Sequence, residues 1–287
     1  MPNKLDIYTE ITTKIISALE AGTPPWRCPW TGGGQTAGFP LRSTSEAYSG
    51  INILMLWLTA HDKEYLSRHW FTYKQAKTHG GQVRKGEKAT KVVYYSTLER
   101  ETDDGEDITI PYIKTYGVFN ADQIDDLPPD FYVNPDPARD LGTEPDSELD
   151  ALFAMTGARI LTSEEPRAYY RPSDDVVHMP PIATFHDASG YYSTLAHELV
   201  HWSGAKTRLD RNHDAKRVAY AFEELVAEIG ACMICAQIGV APDYPQSAAY
   251  IESWLECLKQ DKKAIFKAAS LAQQASDYIL KPEDRAA

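Results

Sequence analysis

The order of apolar and polar residues along the first half of the chain predicts helices first and a β-hairpin after them. Apolar residues recur every three or four positions over residues 4–21 and predict an amphipathic helix. Shorter helices are expected over residues 50–61 and 72–78. Residues 91–96 and 110–119 are rich in Val, Ile and aromatic side chains, and an acidic, turn-like segment lies between them. These two runs predict the strands of a hairpin.

The second half of the chain begins with a different composition. Residues 128–146 are acidic and rich in proline, which is typical of an interdomain linker. A helix is predicted over residues 147–156, and helices also follow from about residue 193. Three short strands are expected between them, at residues 159–161, 168–171 and 176–179. The sequence therefore predicts an α+β fold with two domains, residues 1–127 and residues 147–287.

The charge of the chain differs between its two parts. The 287 residues carry a formal net charge of −12, but residues 1–98 contain 12 basic against 7 acidic residues. This asymmetry indicates that the N-terminal part meets a polyanion. The chain has no apolar run of the roughly 20 residues that a transmembrane helix needs, and its start lacks the apolar core of a secretory signal. We therefore expect a cytoplasmic protein with no membrane partner.

A candidate metal site lies at His197-Glu198-Leu199-Val200-His201. Two histidines four residues apart on a helix face the same way, one turn apart, as two ligands of one zinc ion do. Glu198 lies between them, where a carboxylate can act as the general base on a water molecule. The motif predicts one zinc ion per chain, or manganese or another divalent metal, in a metallopeptidase-like site.

A third ligand is expected from the helix that contains residues 222–228, where carboxylates interrupt an apolar run. Unpaired buried charges are costly, so these carboxylates need a cation. In zincins with a glutamate ligand, an acid four residues later commonly orients a zinc-binding histidine. Glu224 is then the ligand and Glu228 its outer partner, while the opposite assignment stays open. Glu223 is expected to face elsewhere, toward solvent or a salt bridge.

The N-terminal part combines basic and aromatic residues in the way that single-stranded DNA-binding proteins do. Such proteins hold phosphates in basic grooves and stack bases on aromatic faces. Residues 63–95 alternate between the two types, and a Pro- and Gly-rich loop over residues 23–34 adds two tryptophans. The candidate DNA contacts are Trp26, Arg27, Trp30, Tyr48, Asn52, Trp70, Lys74, Lys77, Arg84, Lys85 and Lys88. A solvated basic face over an aromatic core is the alternative interpretation.

Several segments taken together resemble a known family. In the second half, residues 196–204, 208–211 and 220–230 resemble the ArdC-type antirestriction proteins. In the first half, residues 25–30, 48–52, 70–77 and 80–88 resemble the N-terminal domain that these proteins share with plasmid primases. The resemblance covers nearly the whole chain.

The resemblance implies an N-terminal α+β domain that binds single-stranded DNA and a C-terminal zincin-like metallopeptidase domain, built from a small sheet and the active-site helices. Together they are expected to protect incoming plasmid DNA from host restriction during conjugation, with components of restriction systems as the protein targets. A different class of function stays open, in which the protein coats DNA and its zincin domain is a proteolytically inactive scaffold.

Overall fold

The computed structural model describes residues 6–26, 38–101, 107–132, 138–211, 217–242 and 248–281. The α-helices are α1 Ile7–Glu20, α2 Ile51–Lys63, α3 Tyr73–Thr78, α4 Ser147–Ala154, α5 Ala188–Ser203, α6 Arg217–Ile238, α7 Ala248–Gln260 and α8 Ala264–Leu280. The β-strands are β1 Leu41–Arg42, β2 His69–Thr72, β3 Gln82–Val83, β4 Thr90–Glu101, β5 Asp107–Asn120, β6 Ile124–Asp125, β7 Arg159–Thr162, β8 Tyr169–Arg171 and β9 Val176–Met179. None of the helices in these ranges is long and apolar enough to span a bilayer.

The helices and strands confirm the predicted mixture of helices and sheets. They fall into two compact units. We name them the hairpin unit, residues 40–135, and the helical unit, residues 1–39 with 136–287. In the hairpin unit, a sheet has the strand order β1-β2-β5-β4. Strands β4 and β5 pair without a bulge from Thr90 opposite Val118 to Glu101 opposite Asp107. The predicted hairpin is therefore present, and both strands are longer than predicted.

A small aromatic core stabilises the hairpin unit below β2. Phe71 is fully buried in one cluster with Ala76, Val83, Ala121, Ile124 and Leu127, and Phe119, Phe131 and Tyr132 pack against this cluster. Helix α3 begins at a reciprocal cap, in which Thr72 Oγ1 accepts the N–H of Gln75 at 3.2 Å and Gln75 Oε1 accepts the N–H of Thr72 at 2.8 Å. This cap fixes the direction in which the chain leaves β2, so that Ala76 packs into the core.

In the helical unit, a three-stranded sheet of order β7-β9-β8 accompanies the helices. Strand β8 is antiparallel to β9 and lies at an edge. Helix α5 packs against α6, and Gly230 of α6 lies at their contact. A side-chain carbon at Gly230 would lie 2.8 Å from Cγ2 of Val200, too close for ordinary contact. Glycine therefore allows the close approach that places residues 197–201 beside residues 223–228.

Helix α1 confirms the predicted amphipathic helix but belongs to the helical unit. Its apolar side packs against α7. The Tyr8 ring meets Phe266 of α8, with ring centroids 4.8 Å apart. Thr12 Oγ1 also donates to the Lys262 carbonyl at 2.7 Å. Periodicity predicts an apolar face but does not identify the surface that covers it. The compact units consequently divide the chain differently from the domain of residues 1–127 that the sequence predicts.

The proline-rich segment predicted as a linker makes specific contacts at a few of its described residues, although more than half of its described residues are exposed. In the hairpin unit, the Tyr132 hydroxyl donates to the Ile124 carbonyl at 2.7 Å. In the helical unit, Arg139 forms an ion pair with Asp146 at 2.6 Å, and Asp146 caps the start of α4. Residues 133–137 lie outside the described residues. Composition alone did not reveal these packing contacts.

Candidate metal centre

Helix α5 carries both histidines of the predicted metal motif. Its first turn is fixed by Asp187, whose Oδ1 accepts the N–H of Gly190 at 2.8 Å. His197 and His201 lie one turn apart, and their Nε2 atoms are 3.2 Å from each other. Two imidazole nitrogens therefore converge on one point beside α6.

Glu224 of α6 supplies the third converging donor. Its Oε1 lies 3.5 Å from His201 Nε2, and its Oε2 lies 3.6 Å from His197 Nε2. Tetrahedral zinc with bonds of about 2.0–2.1 Å holds its ligand atoms roughly 3.3 Å from one another. The observed spacing and the N, N, O donor set therefore fit a divalent metal ion, and these three residues are the group that could hold it.

Glu223 is buried behind His201 and not exposed to solvent, so of the two surroundings predicted for it, solvent or a salt bridge, it has the second. Its Oε1 lies 3.4 Å from His201 Nδ1 and 2.8 Å from Arg211 Nη2. Burial raises the pKa of the Glu223 carboxyl, but hydrogen bonds from His201 and Arg211 outweigh burial and lower it to about 2. The salt bridge is therefore present, and Glu223 is an anion that orients the His201 ring with Nε2 toward Glu224.

Arg211 follows α5 after a short turn and is buried beneath the end of that helix. It donates to Ser203 Oγ at 3.0 Å and also to the Val200 carbonyl. A side-chain carbon at Gly204 would lie only 2.7 Å from Arg211 Nη2. The glycine at the end of α5 therefore makes room for the arginine that holds Glu223.

Glu228 lies one turn after Glu224 and behind the other histidine. Its Oε2 is 3.7 Å from His197 Nδ1. Burial lowers the pKa of His197, but a hydrogen bond to Glu224 and the charges of Glu198 and Glu228 outweigh burial and raise it to about 9. Each histidine thus has one carboxylate near Nδ1 and faces Glu224 with Nε2. This arrangement supports Glu224 as the ligand and Glu228 as its outer partner.

Glu198 lies beside the ligand group and is held by the sheet. Its Oε2 accepts the N–H of Tyr170, on edge strand β8, at 2.7 Å. The Tyr170 hydroxyl donates to Asp175 at 2.9 Å and accepts from Arg208 at 3.2 Å. Arg208 also donates to the Trp202 carbonyl at 2.6 Å and covers the Trp202 ring. Arg208 therefore ties the edge strand to the end of α5, a role that no local sequence pattern predicted.

A cavity of about 410 Å³ opens over the metal centre. Strand β8 lines one side of it, and Tyr220 and Tyr250 line another. Tyr220 lies one turn before Glu224, and burial together with the Glu224 charge raises the pKa of its hydroxyl. The volume falls in the range of roughly 300–1,000 Å³ that is typical of ligand sites. The candidate base and the metal ligands therefore share a space that a ligand can enter.

Comparison with known proteins identifies the family. Residues 147–271 match the zincin-like metallopeptidases, and residues 5–119 match the N-terminal domain of anti-restriction factor ArdC. The crystal structure of antirestriction ArdC protein from the R388 plasmid, in its metal-free form, is 58% identical with a TM-score of 0.88 over 98% of both chains. The chain belongs to the ArdC family of antirestriction proteins. The Mn(II)-bound structure of the R388 ArdC protein is 57% identical, with a TM-score of 0.85 over 99% of both chains.

Other relatives of this ArdC-family chain differ in their total length. The uncharacterized protein y4eC of Sinorhizobium fredii is 41% identical, over 96% of this chain and 91% of y4eC. Two DNA primases TraC of Escherichia coli are 35% and 34% identical over 98% and 99% of this chain. The chain spans only 28% and 20% of those primases.

Three aromatic residues predicted to contact DNA are core residues in this ArdC-family chain. Trp26 is fully buried, and its ring meets the edge of Trp254 with centroids 5.4 Å apart. Trp70 and Tyr48 are only 1% and 9% exposed. A buried ring has no free face for a base, so these three predictions are corrected. The ring that meets Trp26 comes from the far end of the sequence, which local patterns did not reveal.

Asn52 also has a structural role. Its Nδ2 donates to the Val93 carbonyl at 2.9 Å, and its Oδ1 accepts the Val93 N–H at 2.8 Å. The amide side chain thereby satisfies one position on the outer edge of β4. Arg27 and Trp30, two further candidates, lie outside the described residues.

The basic candidates other than Arg27 lie on the surface of the hairpin unit but differ in their partners. The exposed lysines are Lys74, Lys77, Lys85 and Lys88. Lys77 donates to the side chain of Gln82. Arg84 forms ion pairs with Glu87 at 3.1 Å and Asp125 at 3.4 Å. Nearby carboxylates thus compensate the Arg84 charge, which makes Arg84 a weaker candidate for phosphate contact than the sequence indicated.

Proposed function

We propose that this ArdC-family protein protects plasmid DNA that enters a recipient cell by binding its single strands and using a metal-dependent, peptidase-like site against host restriction. The observation that carries the proposal is the convergence of His197 Nε2, His201 Nε2 and the Glu224 carboxylate beside Glu198, in an accessible cavity. Restriction acts on DNA inside the cell, so the proposal places the protein in the cytoplasm, and components of the restriction system are its proposed protein targets.

The donor set favours zinc as the metal, at one ion per chain. Two imidazole nitrogens and one carboxylate form the protein part of many catalytic zinc sites, which keep a fourth position open. The Mn(II)-bound structure of the R388 ArdC protein supports manganese as an alternative. When bound, the ion supplies the Lewis acidity that polarises a carbonyl group. Its place is proposed between His197, His201 and Glu224.

Glu198 is the proposed general base. Its carboxylate lies at the cavity and accepts a hydrogen bond from the Tyr170 amide. A carboxylate in this place can take a proton from water and later donate it to the leaving amine of a peptide. Glu223 and Glu228 would keep the ligand rings in position while Glu198 moves the proton.

The DNA-binding part of the proposal rests on the N-terminal half. Residues 5–119 match the N-terminal domain of ArdC, and the relatives named DNA primase TraC also contain this region. Exposed lysines on the hairpin unit supply positive charge for phosphates. We propose binding to single strands with little sequence preference, because stacking and phosphate contacts do not depend on base identity.

The test measures plasmid transfer into a restricting and a non-restricting recipient. Glu198→Gln keeps the shape of the side chain and can still accept the Tyr170 hydrogen bond, but it cannot act as a base. We expect Glu198→Gln to lose protection while purified protein retains one metal ion. Glu252→Gln, an exposed glutamate on α7, is the matched control and should protect like wild type.

The competing function is a DNA-coating protein with an inactive zincin scaffold. It predicts that Glu198→Gln, which keeps the metal ligands, protects as well as wild type, whereas His197→Ala, which removes a ligand, loses protection. Full protection by both variants would remove the metal centre from the antirestriction function altogether.

A further inference from the structure

The middle of the β4-β5 ladder exposes two tyrosines on one face. Tyr94 is 52% and Tyr116 46% exposed, and their ring centroids lie 6.4 Å apart with planes at 71°. Lys114 is directly opposite Tyr94, and Val92 is directly opposite Tyr116. Directly opposite residues of an antiparallel pair project to the same face, and so do residues two apart on one strand. We name Tyr94, Lys114 and Tyr116 the tyrosine face.

Burial changes along this face of the sheet. Thr90, Val92 and Val118 project to the same side, and each is less than a tenth exposed. One step further along both strands, the tyrosine rings and Lys114 are exposed. Large rings exposed side by side form an apolar patch, and such patches commonly mark a binding surface. The tyrosine face is therefore where the covered part of the sheet ends and an accessible aromatic surface begins.

We propose that the tyrosine face is the platform on which this protein stacks the bases of single-stranded DNA. The inference rests on the DNA-binding function proposed above and gives that function a site. The two rings offer accessible π-faces for bases, and Lys114 offers a cation for the adjoining phosphates. In a duplex the bases already stack on one another, so this chemistry favours single strands. The two tyrosines take the place of Trp26 and Trp70 as candidate stacking residues, because the rings of both tryptophans are buried.

The neighbouring tyrosine provides a matched control within the same strand. Tyr95 is 53% exposed, nearly the same as Tyr94, but strand alternation directs it to the opposite face. Tyr73 is a second control, 50% exposed at the start of α3. If exposure alone caused binding, all these tyrosines would contribute equally. If the tyrosine face is the site, only Tyr94 and Tyr116 contribute.

The experiment titrates the full chain into labelled oligodeoxythymidine and measures fluorescence anisotropy. We expect Tyr94→Ala and Tyr116→Ala each to weaken affinity by about 5- to 150-fold, which corresponds to one lost base stack. Tyr94→Phe should bind like wild type because it keeps the ring. Tyr95→Ala and Tyr73→Ala should also match wild type, and thermal unfolding confirms that each variant is folded.

A salt titration covers the case in which an alanine variant does not fold. Lys114→Gln should make the slope of log affinity against log salt about 0.7 shallower, the effect of one lost phosphate contact on a single strand. An unchanged slope, or normal affinity in folded Tyr94→Ala and Tyr116→Ala, overturns the platform while DNA binding by wild type still stands. Equal loss in Tyr95→Ala overturns the choice of face. Absence of binding by wild type overturns both the platform and the proposed DNA-binding function.

Discussion

The metal centre and the tyrosine face differ in how their side chains are held. At the metal centre, the Arg211 side chain is only 3% exposed and Glu223 11%, and each contacts the other. On the tyrosine face, about half of each ring is open to solvent. A metal ion requires ligands fixed in one geometry, whereas a flexible DNA strand can adjust to any accessible ring. Substitutions should therefore disturb neighbours at the metal centre but remove only single contacts at the tyrosine face.

The largest expected effect is on stability, from Arg211→Met. The substitution leaves Glu223 as a buried carboxylate without its cation, and breaking a buried ion pair in this way costs about 3–5 kcal/mol. Urea unfolding in the presence of a chelator measures the loss without a contribution from bound metal. Arg208→Met is the control, because its partner Asp175 is 53% exposed and water can solvate the carboxylate that remains. An equal loss in both variants would contradict the distinction between the two arginines.

The next effect concerns the ligand assignment. Glu224→Ala removes a proposed direct bond to the metal, so its affinity loss should exceed the roughly 10- to 100-fold that outer partners contribute. Glu228→Ala should stay within that range. Calorimetric titration of metal-depleted protein with zinc and with manganese measures both. If Glu228→Ala abolishes binding and Glu224→Ala keeps it, the two roles have to be exchanged.

Sequence patterns predicted the group of side chains that the structure brings together, His197, His201 and Glu224, because they lie on two helices with fixed spacing. The four-residue separation of His197 and His201 determines their common direction, and carboxylates in an apolar helix indicate a nearby cation. The contact between Glu223 and His201 was not predictable in this way. It depends on Arg211, which a turn after α5 brings under the helix, and on Gly204, which makes space for it.

The hairpin was also predictable, since alternating β-branched and aromatic residues define its strands. The sequence did not allow us to predict which aromatic rings are exposed. Trp26 is buried against Trp254, and helix α1 is covered by α7, so both depend on partners from the far end of the chain. Local composition gives the number of aromatic residues in a segment, but only tertiary packing decides which faces remain open.

A smaller effect at the metal centre tests the outer partner of His201. Glu223→Gln keeps an acceptor near Nδ1 but removes the negative charge that polarises the ring and pairs with Arg211. We expect the metal affinity of the folded variant to fall about 10- to 100-fold. Because Arg211 is left buried without its anion, we also expect a loss of stability like that of Arg211→Met. Glu252→Gln on the exposed side of α7 controls for the general loss of one negative charge. Unchanged affinity in Glu223→Gln would show that the contact with His201 does not affect the metal.

The smallest expected effect is a difference in the salt dependence of DNA binding between variants of two exposed basic residues of the hairpin unit, Arg84 and Lys88. Arg84 already faces Glu87 and Asp125, so releasing it for a phosphate would cost those two contacts. Lys88 is exposed and was predicted from sequence as a phosphate contact on equal terms with Arg84. Each phosphate contact on a single strand contributes about −0.7 to the slope of log affinity against log salt. We therefore expect Lys88→Gln to make the slope about 0.7 shallower and Arg84→Gln to leave it nearly unchanged, measured by anisotropy on oligodeoxythymidine at several salt concentrations. The opposite order would mean that Arg84 exchanges its carboxylate partners for DNA, and the contrast between paired and exposed charges would then fail for this unit.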